Sequence, residues 1–313
     1  MLSRTADSLF WLSRYVERAE NTARILEAAY RLATLPVAYG GQTNEWESAV
    51  AAAGALDAFA AAYGEATAEN VIEFLAFSES NPTSIRSCLD IARQNARSIR
   101  VALTSEMWDA INGAWLELQE LKPSGIGIEA LPGFLGWVKN ASLRFDGSAL
   151  RTMLRNDAFC FSQLGAYIER ADSTARILDV KYHVLLPHDA PVGGGLDYSQ
   201  WSSILRAVSA AVSYHWVYRE SLKPWLVADL LILRKEMPRS LAACQQAMTL
   251  HLDEIAEQYG RQGESQRIAR AMHARLANSR IDDIFPAGLH EFLQDFIAEN
   301  NRLGLAVAEQ YLV

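Results

Sequence analysis

The sequence predicts an all-α protein: a multi-helix bundle made by tandem duplication of one helical module, with the halves related by an approximate internal two-fold. Three observations carry this. Long windows place apolar residues at helical spacing without Gly or Pro, and their ends carry capping signals. No run of alternating β-branched residues is flanked by hairpin turns. Residues 15–32 and 167–184, 152 positions apart, are identical at 10 of 18 sites, among them the dipeptides Glu17-Arg18 and Glu169-Arg170.

The echo continues downstream. Trp46 and Tyr63 are answered by Trp201 and Tyr218, and Pro82, Ser84 and Cys88 by Pro238, Ser240 and Cys244. The offset creeps from 152 to 155 to 156, as small loop insertions would produce. The chain therefore reads as a single domain, 1–313, with one repeat over about 1–121, a linker region over about 122–149 and a second repeat over about 150–313.

The first helix is predicted over 4–34, ended by Pro36, with Asp7 at the positive end of its dipole. After Gly40 and Gly41, Asn44 and Glu47 form a capping arrangement for a helix reaching Tyr63. Thr67 caps a short helix through Phe77, whose Val71, Ile72, Phe74 and Leu75 leave little polar surface. Asn81 and Pro82 mark the next start, since Asn caps and Pro gives up an N–H that has no partner there. That helix is expected to reach Ser105, with another over 106–121. Residues 122–127 and 131–133 are Pro- and Gly-bearing interruptions that separate the halves, and a helix over 134–144 follows them. Gly147 precedes a long helix over 150–185 that carries the second Glu-Arg stretch. Residues 187–195 form the longest connector. They are no phosphate loop, since neither a preceding strand nor a following Lys-Ser/Thr is present. The second half repeats the order with helices over 199–223, 227–233 and 238–259, then 265–279 and 287–313.

A net charge of −8 argues against nucleic acid as a partner, because affinity for phosphate backbones comes from clustered Lys and Arg. Cys88, Cys160 and Cys244 are odd in number and lack CxxC spacing, which suits a reducing, cytoplasmic setting. No window approaches the apolar length of a membrane span. Self-association is left open.

On a helical wheel, Leu12, Tyr15, Val16, Ala19, Thr22, Ala23, Ile25 and Leu26 cover one half of the first helix. Glu17, Glu20, Asn21, Arg24 and Glu27 take the other. Arg18 falls inside the apolar arc, and Arg170 sits likewise in the second copy. A guanidinium aimed at a core keeps its charge and needs carboxylate or carbonyl acceptors, or an enclosed polar site. Two readings stay open. The arginines are buried ties, with Glu169 serving Arg18 and Glu17 serving Arg170, or the pairs line a cleft for a charged ligand such as a carboxylate or phosphate. The i,i+4 pairs Glu20–Arg24 and Asp172–Arg176 are expected to be solvated and worth a few tenths of a kcal/mol. Their presence in both halves adds Arg24 and Arg176 to the candidates. Tyr15 and Tyr167, read as core packers with a satisfied hydroxyl, accompany the pairs together with Thr22 and Thr174.

No metal site is expected. His183, His188 and Asp189 lack the helical spacing of His ligands, and no Glu-x-x-His follows Glu17 or Glu169. No nucleophile elbow is present, no catalytic residue is assigned and no cofactor is implied. Trp46, Trp108, Trp201 and Trp225 are expected in the core.

Taken together, residues 15–24, 81–108 and 168–183 resemble the bacterial α-E domain family, a helical domain named for a Glu-Arg motif and formerly of unknown function. The resemblance covers essentially the whole chain. It departs at Ala166, where the first copy has Arg14. What it implies is context: members are encoded beside, or fused to, a circularly permuted ATP-grasp protein, often with a transglutaminase-like peptidase. Such a set implies ATP-dependent amide ligation with peptide processing. The expected function is a helical accessory partner of an ATP-grasp ligase, holding a peptide, another charged substrate or the ligase itself through a Glu/Arg site. One alternative is an enzyme using Glu17 and Glu169 as acid/base groups, with Arg18 and Arg170 on an anionic substrate. Another is a structural oligomeric scaffold. Both pairs facing one enclosed polar pocket would favour a ligand or enzyme site, and pairs closed between helices would favour a scaffold.

Overall fold

The computed structural model describes residues 3–34, 45–121, 126–184 and 195–312, with backbone alone for 180–184 and 195–197. Among these residues the chain is helical and contains no strand. The helices are α1 (Ser3–Ala33), α2 (Glu45–Ala52), α3 (Leu56–Ala62), α4 (Ala68–Ile72), α5 (Ile85–Ser98), α6 (Ser105–Glu120) and α7 (Leu131–Thr152). They continue as α8 (Asp157–Val184), α9 (Gly195–Ala207), α10 (Ala211–Tyr218), α11 (Pro224–Ile232), α12 (Leu241–Tyr259), α13 (Glu264–Asn278) and α14 (Ile281–Val307). One π-helical turn, Glu73–Phe77, extends α4, and another, Ala308–Leu312, extends α14.

The two helices that carry the repeated stretches, α1 and α8, pack against each other at the centre of the molecule. Around α1 lie α2, α5, α7 and α9, and around α8 lie α2, α12 and α14. A helix with that many neighbours cannot leave half its circumference in water. The face read as polar in α1 is buried: Glu17 and Glu20 are each 1% exposed, and Asn21 and Arg24 are 5% exposed. The helical wheel sorted these residues by hydropathy, whereas the number of packed neighbours decides their burial.

Gly165 lets the central pair approach so closely. A Cβ there would lie 2.1 Å from the backbone oxygen of Phe10 on α1, well inside contact distance. Ser13 and Ser162 extend the small-residue seam, their hydroxyls 2.8 Å apart.

Several boundaries differ from the sequence expectation, each for a local reason. The helix expected to reach Tyr63 breaks at Gly54, where φ is +68° and Ala55 N–H closes onto Val50 C=O at 3.1 Å. The helix expected over 199–223 breaks in the same way at Ser209, with φ +58° and Ala210 N–H donating to Leu205 C=O at 2.7 Å. Asn81 does not cap α5. Its amide donates to Phe74 C=O and its Oδ1 accepts from Thr83 N–H, both at 3.0 Å, while Ser84 caps the helix by accepting from Ser87 N–H. Ser240 caps α12 by the same bond to Ala243 N–H. α5 stops at Ser98, short of Ser105. Pro132 and Gly133 do not interrupt the chain but lie in the first turn of α7, which runs through Gly147. The break before α8 falls instead at residues 153–156, where Asn156 accepts from Ala158 N–H at 3.1 Å. α14 starts at Ile281, and the merged helix kinks at Gly288 (φ +128°) just after Pro286. Pro36, Asn44 and most of the 187–195 connector lie outside the described residues.

Trp46 and Trp201 are in the core and Trp108 packs against it. Trp225, expected there, is instead 43% exposed, with the Lys223 ammonium 5.6 Å from its ring centroid.

Gly165→Ala is expected to destabilise the protein severely, because the added methyl meets backbone and no rotamer change can relieve it. Urea unfolding should place the variant's midpoint far below that of a Gly136→Ala control, whose Cβ meets nothing within 4 Å.

Candidate functional site

The two Glu-Arg dipeptides cross over between the central helices. Arg18 donates to Glu169 through both Nε (2.5 Å) and Nη2 (2.8 Å), and Arg170 donates to Glu17 through Nε (3.1 Å) and Nη2 (2.6 Å). This fork-to-fork geometry fixes both distance and orientation. Each guanidinium also lies over the tyrosine three residues before it: Arg18 is 5.2 Å from the Tyr15 ring and Arg170 is 5.3 Å from the Tyr167 ring. Thr174 bonds back to Arg170 C=O at 2.9 Å, and Thr22 is buried beside Arg18. Arg18 is not aimed into the core as its wheel position implied. Its side chain keeps 22% of its exposure, while its partner Glu169 keeps 8%.

Each carboxylate holds a second guanidinium, from a different part of the chain. Glu169 accepts from Arg14 at 3.0 Å, and Glu17 accepts from Arg239 at 2.8 Å. Arg14 has Ala166 opposite it in the repeat, and Arg239 has Thr83, so the two copies reach the same ligand count by different residues. Arg239 also bonds Glu20 and, at 3.4 Å, Asn21 Oδ1. Arg24 completes this side. It binds Glu20 through Nε (2.8 Å) and Nη2 (2.6 Å), and through Nη1 it caps α9 at Ala207 C=O (2.6 Å) and Ser209 Oγ (3.0 Å). Glu20–Arg24, expected in solvent, is buried, because the end of α9 and the Arg239 turn close over it. Asp172–Arg176 stays nearer the surface, with the Arg176 side chain 34% exposed and Nε bonded to Asp172 at 2.6 Å.

Electrostatics follow the geometry. Burial pushes the Glu17 carboxyl up, but Arg170, Arg239 and Arg24 together outweigh it and hold it at about 2. Glu169 is also held below its ordinary value, burial being overcome by Arg18 and Arg14. Asp146, 3.1 Å from Arg170, is raised to about 6 by burial against the pull of Arg170, with the Glu17 and Glu20 charges adding to the rise. A carboxylate locked by two guanidinium groups and held at low pKa has no proton to exchange near neutrality, which counts against Glu17 and Glu169 as acid/base groups.

The two pairs do not share a pocket. Arg18 and Glu169 line an open polar cavity of about 270 Å³ between α1, α2 and α8, together with Asn21, Thr22, Thr83, Asp172, Ser173 and Arg176. Glu17 and Arg170 do not line it. Sequence reasoning missed Arg239, Arg14's role and Asp146. The one signal for Arg239 is the mismatch with Thr83 inside an otherwise matched Pro-x-Ser.

The side chains of His183, His188 and Asp189 lie outside the described residues. Among those described, one cluster has three potential metal donors: Cys160, His251 and Glu254, within 4.8 Å of one another. Hydrogen bonds account for it. The Cys160 thiol donates to Glu254 at 3.1 Å, and His251 Nδ1 lies 3.3 Å from the same oxygen. Burial and that carboxylate push the thiol far above its ordinary range, which opposes the thiolate a metal needs. Cys88 and Cys244 are likewise buried and free.

The family model named Alpha-E, described as a predicted alpha-helical domain with a conserved ER motif, matches residues 1–312. The chain belongs to the Alpha-E family. It carries the Glu-Arg dipeptide twice, and both copies sit in the crossed pairing just described. Comparison with curated proteins and with solved structures finds no match.

Two outcomes follow for this Alpha-E chain. Arg170→Ala leaves Glu17 buried with a lost partner and is expected to cost about 3–5 kcal/mol, read as a drop in melting temperature. An unchanged melting temperature would remove the structural role. The second concerns pH. Asp146, raised in the fold from 3.8 to about 6, contributes stability that is complete below pH 3.8 and lost as pH rises through about 6. Glu17 works in the opposite sense, its contribution being lost only as pH falls from 4.5 through about 2. Asp146→Asn should therefore remove a decline, so its urea midpoint relative to wild type should rise between pH 4 and pH 7. Parallel profiles would refute the assignment.

Proposed function

We propose that this chain is a helical, non-ATP-binding partner of a bacterial, cytoplasmic ATP-grasp amide-ligase system, working beside a transglutaminase-like peptidase. Its part is to hold a charged substrate, a peptide or carrier, in the cavity beside Arg18 and Glu169. One observation carries the ligand-site half: one Glu-Arg pair borders an open polar cavity, while the other is closed between helices by Arg239 and Arg24. A pure scaffold would have reason to close both. Membership of the Alpha-E family supports the ligase half, through the company its members keep.

We also infer that the chain arose by tandem duplication, with halves related by an approximate two-fold. Matched contacts support this: the crossed ion pairs, the serine caps at Ser84 and Ser240, and the thiol bonds from Cys88 to Pro82 C=O (4.0 Å) and from Cys244 to Pro238 C=O (3.8 Å). The left-handed turns at Gly54 and Ser209 belong to the same set.

The test uses a circularly permuted ATP-grasp protein of the same genome, of the kind that accompanies other Alpha-E members. The two should form a complex at micromolar concentration by light scattering, and product formation, read by mass spectrometry, should depend on this chain. Arg176→Ala, at the cavity rim, should reduce that dependence at least tenfold while leaving the melting temperature within a few degrees. No complex, with substrate present, together with ligation indifferent to this chain, would refute the partnership.

A further inference from the structure

Besides the exchange of Arg14 for Ala166, the two sides of the central helix pair differ in the turn before the capping serine. Pro82-Thr83-Ser84 and Pro238-Arg239-Ser240 stand at matching places, and in each the serine caps the following helix, so residues 83 and 239 leave the backbone at corresponding points. On one side Arg239 reaches inward to Glu17, Glu20 and Asn21 of α1. The residues of α8 that match these three, 152 positions on, are Glu169, Asp172 and Ser173. Thr83 is too short to reach them, and the space that a longer side chain would cross is the cavity of about 270 Å³.

Two of those three residues line it and each carries an unsatisfied atom. Asp172 Oδ1 and Ser173 Oγ are buried atoms with no hydrogen-bond partner, and Ser173 as a whole is only 6% exposed. Buried acceptors of this kind cost free energy until a donor arrives. Their counterparts on the other side, Glu20 and Asn21, both bond the Arg239 guanidinium. The wall of the cavity thus keeps two unpartnered atoms where the other side has a guanidinium.

Charge narrows the ligand further. Three guanidinium groups, Arg14, Arg18 and Arg176, already face two carboxylates, Glu169 and Asp172. A bare cation would make that four against two. A ligand with its own carboxylate leaves the balance where it is, and a partner for that carboxylate is at hand. Arg18 spends Nε and Nη2 on Glu169 and Arg176 spends Nε on Asp172, leaving Arg18 Nη1 and both Nη groups of Arg176 for a carboxylate at the rim. Gly54 makes room there, since a Cβ on it would stand 3.2 Å from Arg176 Nη1. The volume falls just below the usual range of small-molecule sites, about 300 to 1,000 Å³, and suits a single residue rather than a nucleotide.

We infer that this cavity binds a small zwitterion, a free amino acid or the basic C-terminal residue of a peptide. Its cationic N–H group sits on Asp172 and Ser173 where Arg239 sits on the other side, and its carboxylate lies against Arg18 and Arg176. The inference deepens the ligand-site half of the proposed function and does not need the ligase partnership.

Calorimetric titration of the full chain tests it with four probes. L-alanine offers a backbone ammonium and carboxylate, and Nα-acetyl-L-arginine offers the guanidinium and carboxylate of a peptide's last residue. Nα-acetyl-L-argininamide lacks the carboxylate, and inorganic phosphate lacks the cation. At least one of the first two should bind at or below about 1 mM, and which one does tells a free amino acid from a peptide end. The amide and phosphate should bind at least tenfold more weakly. Thr83→Arg should fill the site from within, abolishing binding and raising the melting temperature. Asp172→Asn, an independent variant that keeps the shape, should weaken binding at least tenfold. The inference is overturned if neither zwitterion binds, if phosphate binds most tightly, or if binding survives Asp172→Asn unchanged. Should the zwitterions fail while ligation still depends on Arg176, the cavity remains a substrate site for another chemistry; failure of both removes the site.

Discussion

The fold depends on neutralising charge at the contact between α1 and α8. Two carboxylates in the middle of the molecule, Glu17 and Glu169, are each gripped by a fork from the opposite helix and by a second guanidinium from elsewhere. A buried ion pair is weak evidence for stability by itself, since apolar residues of equal volume often serve as well. What it does impose is register. A one-turn slide of α1 along α8 would separate both pairs at once and strand four charges, so the arginines specify how the helices align while the apolar core around them supplies the driving force.

Much of this is legible in the chain, and the rest is hidden for definable reasons. The crossed pairing of Arg18 with Glu169 and Arg170 with Glu17 can be read because two identical dipeptides on packed, similar helices have few other ways to satisfy their charges. Arg239 cannot be read: it lies 222 residues from Glu17, on a turn whose local sequence advertises only a cap. The burial of Glu20 and Arg24 is invisible to a helical wheel, which sees one helix and not the five that surround it. Gly54 and Ser209 break helices whose periodicity continues across them, because a left-handed residue interrupts the backbone without changing the apolar pattern.

The two sides of the central pair are matched but not equal. Exchanging Arg14 for Ala166 and Thr83 for Arg239 keeps two guanidinium groups on each carboxylate, yet it moves the second one from inside a helix to an inter-helix turn. On one side that turn closes the space, and on the other it leaves a polar cavity. If one ancestral module gave both, the closed side keeps the load of holding the helices, which frees the open side to take on a ligand. Such a division would explain a family defined by a short charged motif rather than by an array of catalytic groups.

The backbone contact at Gly165 sets how such a site could signal. With the Phe10 carbonyl resting against a residue that has no side chain, α1 and α8 stand at their minimum spacing and behave as a single rod. Occupancy cannot be transmitted by prying that rod apart or pressing it together. Any message must leave sideways through the short α2 segment and its Gly54 turn or through the turn at Thr83, the walls of the cavity that do not belong to the rod.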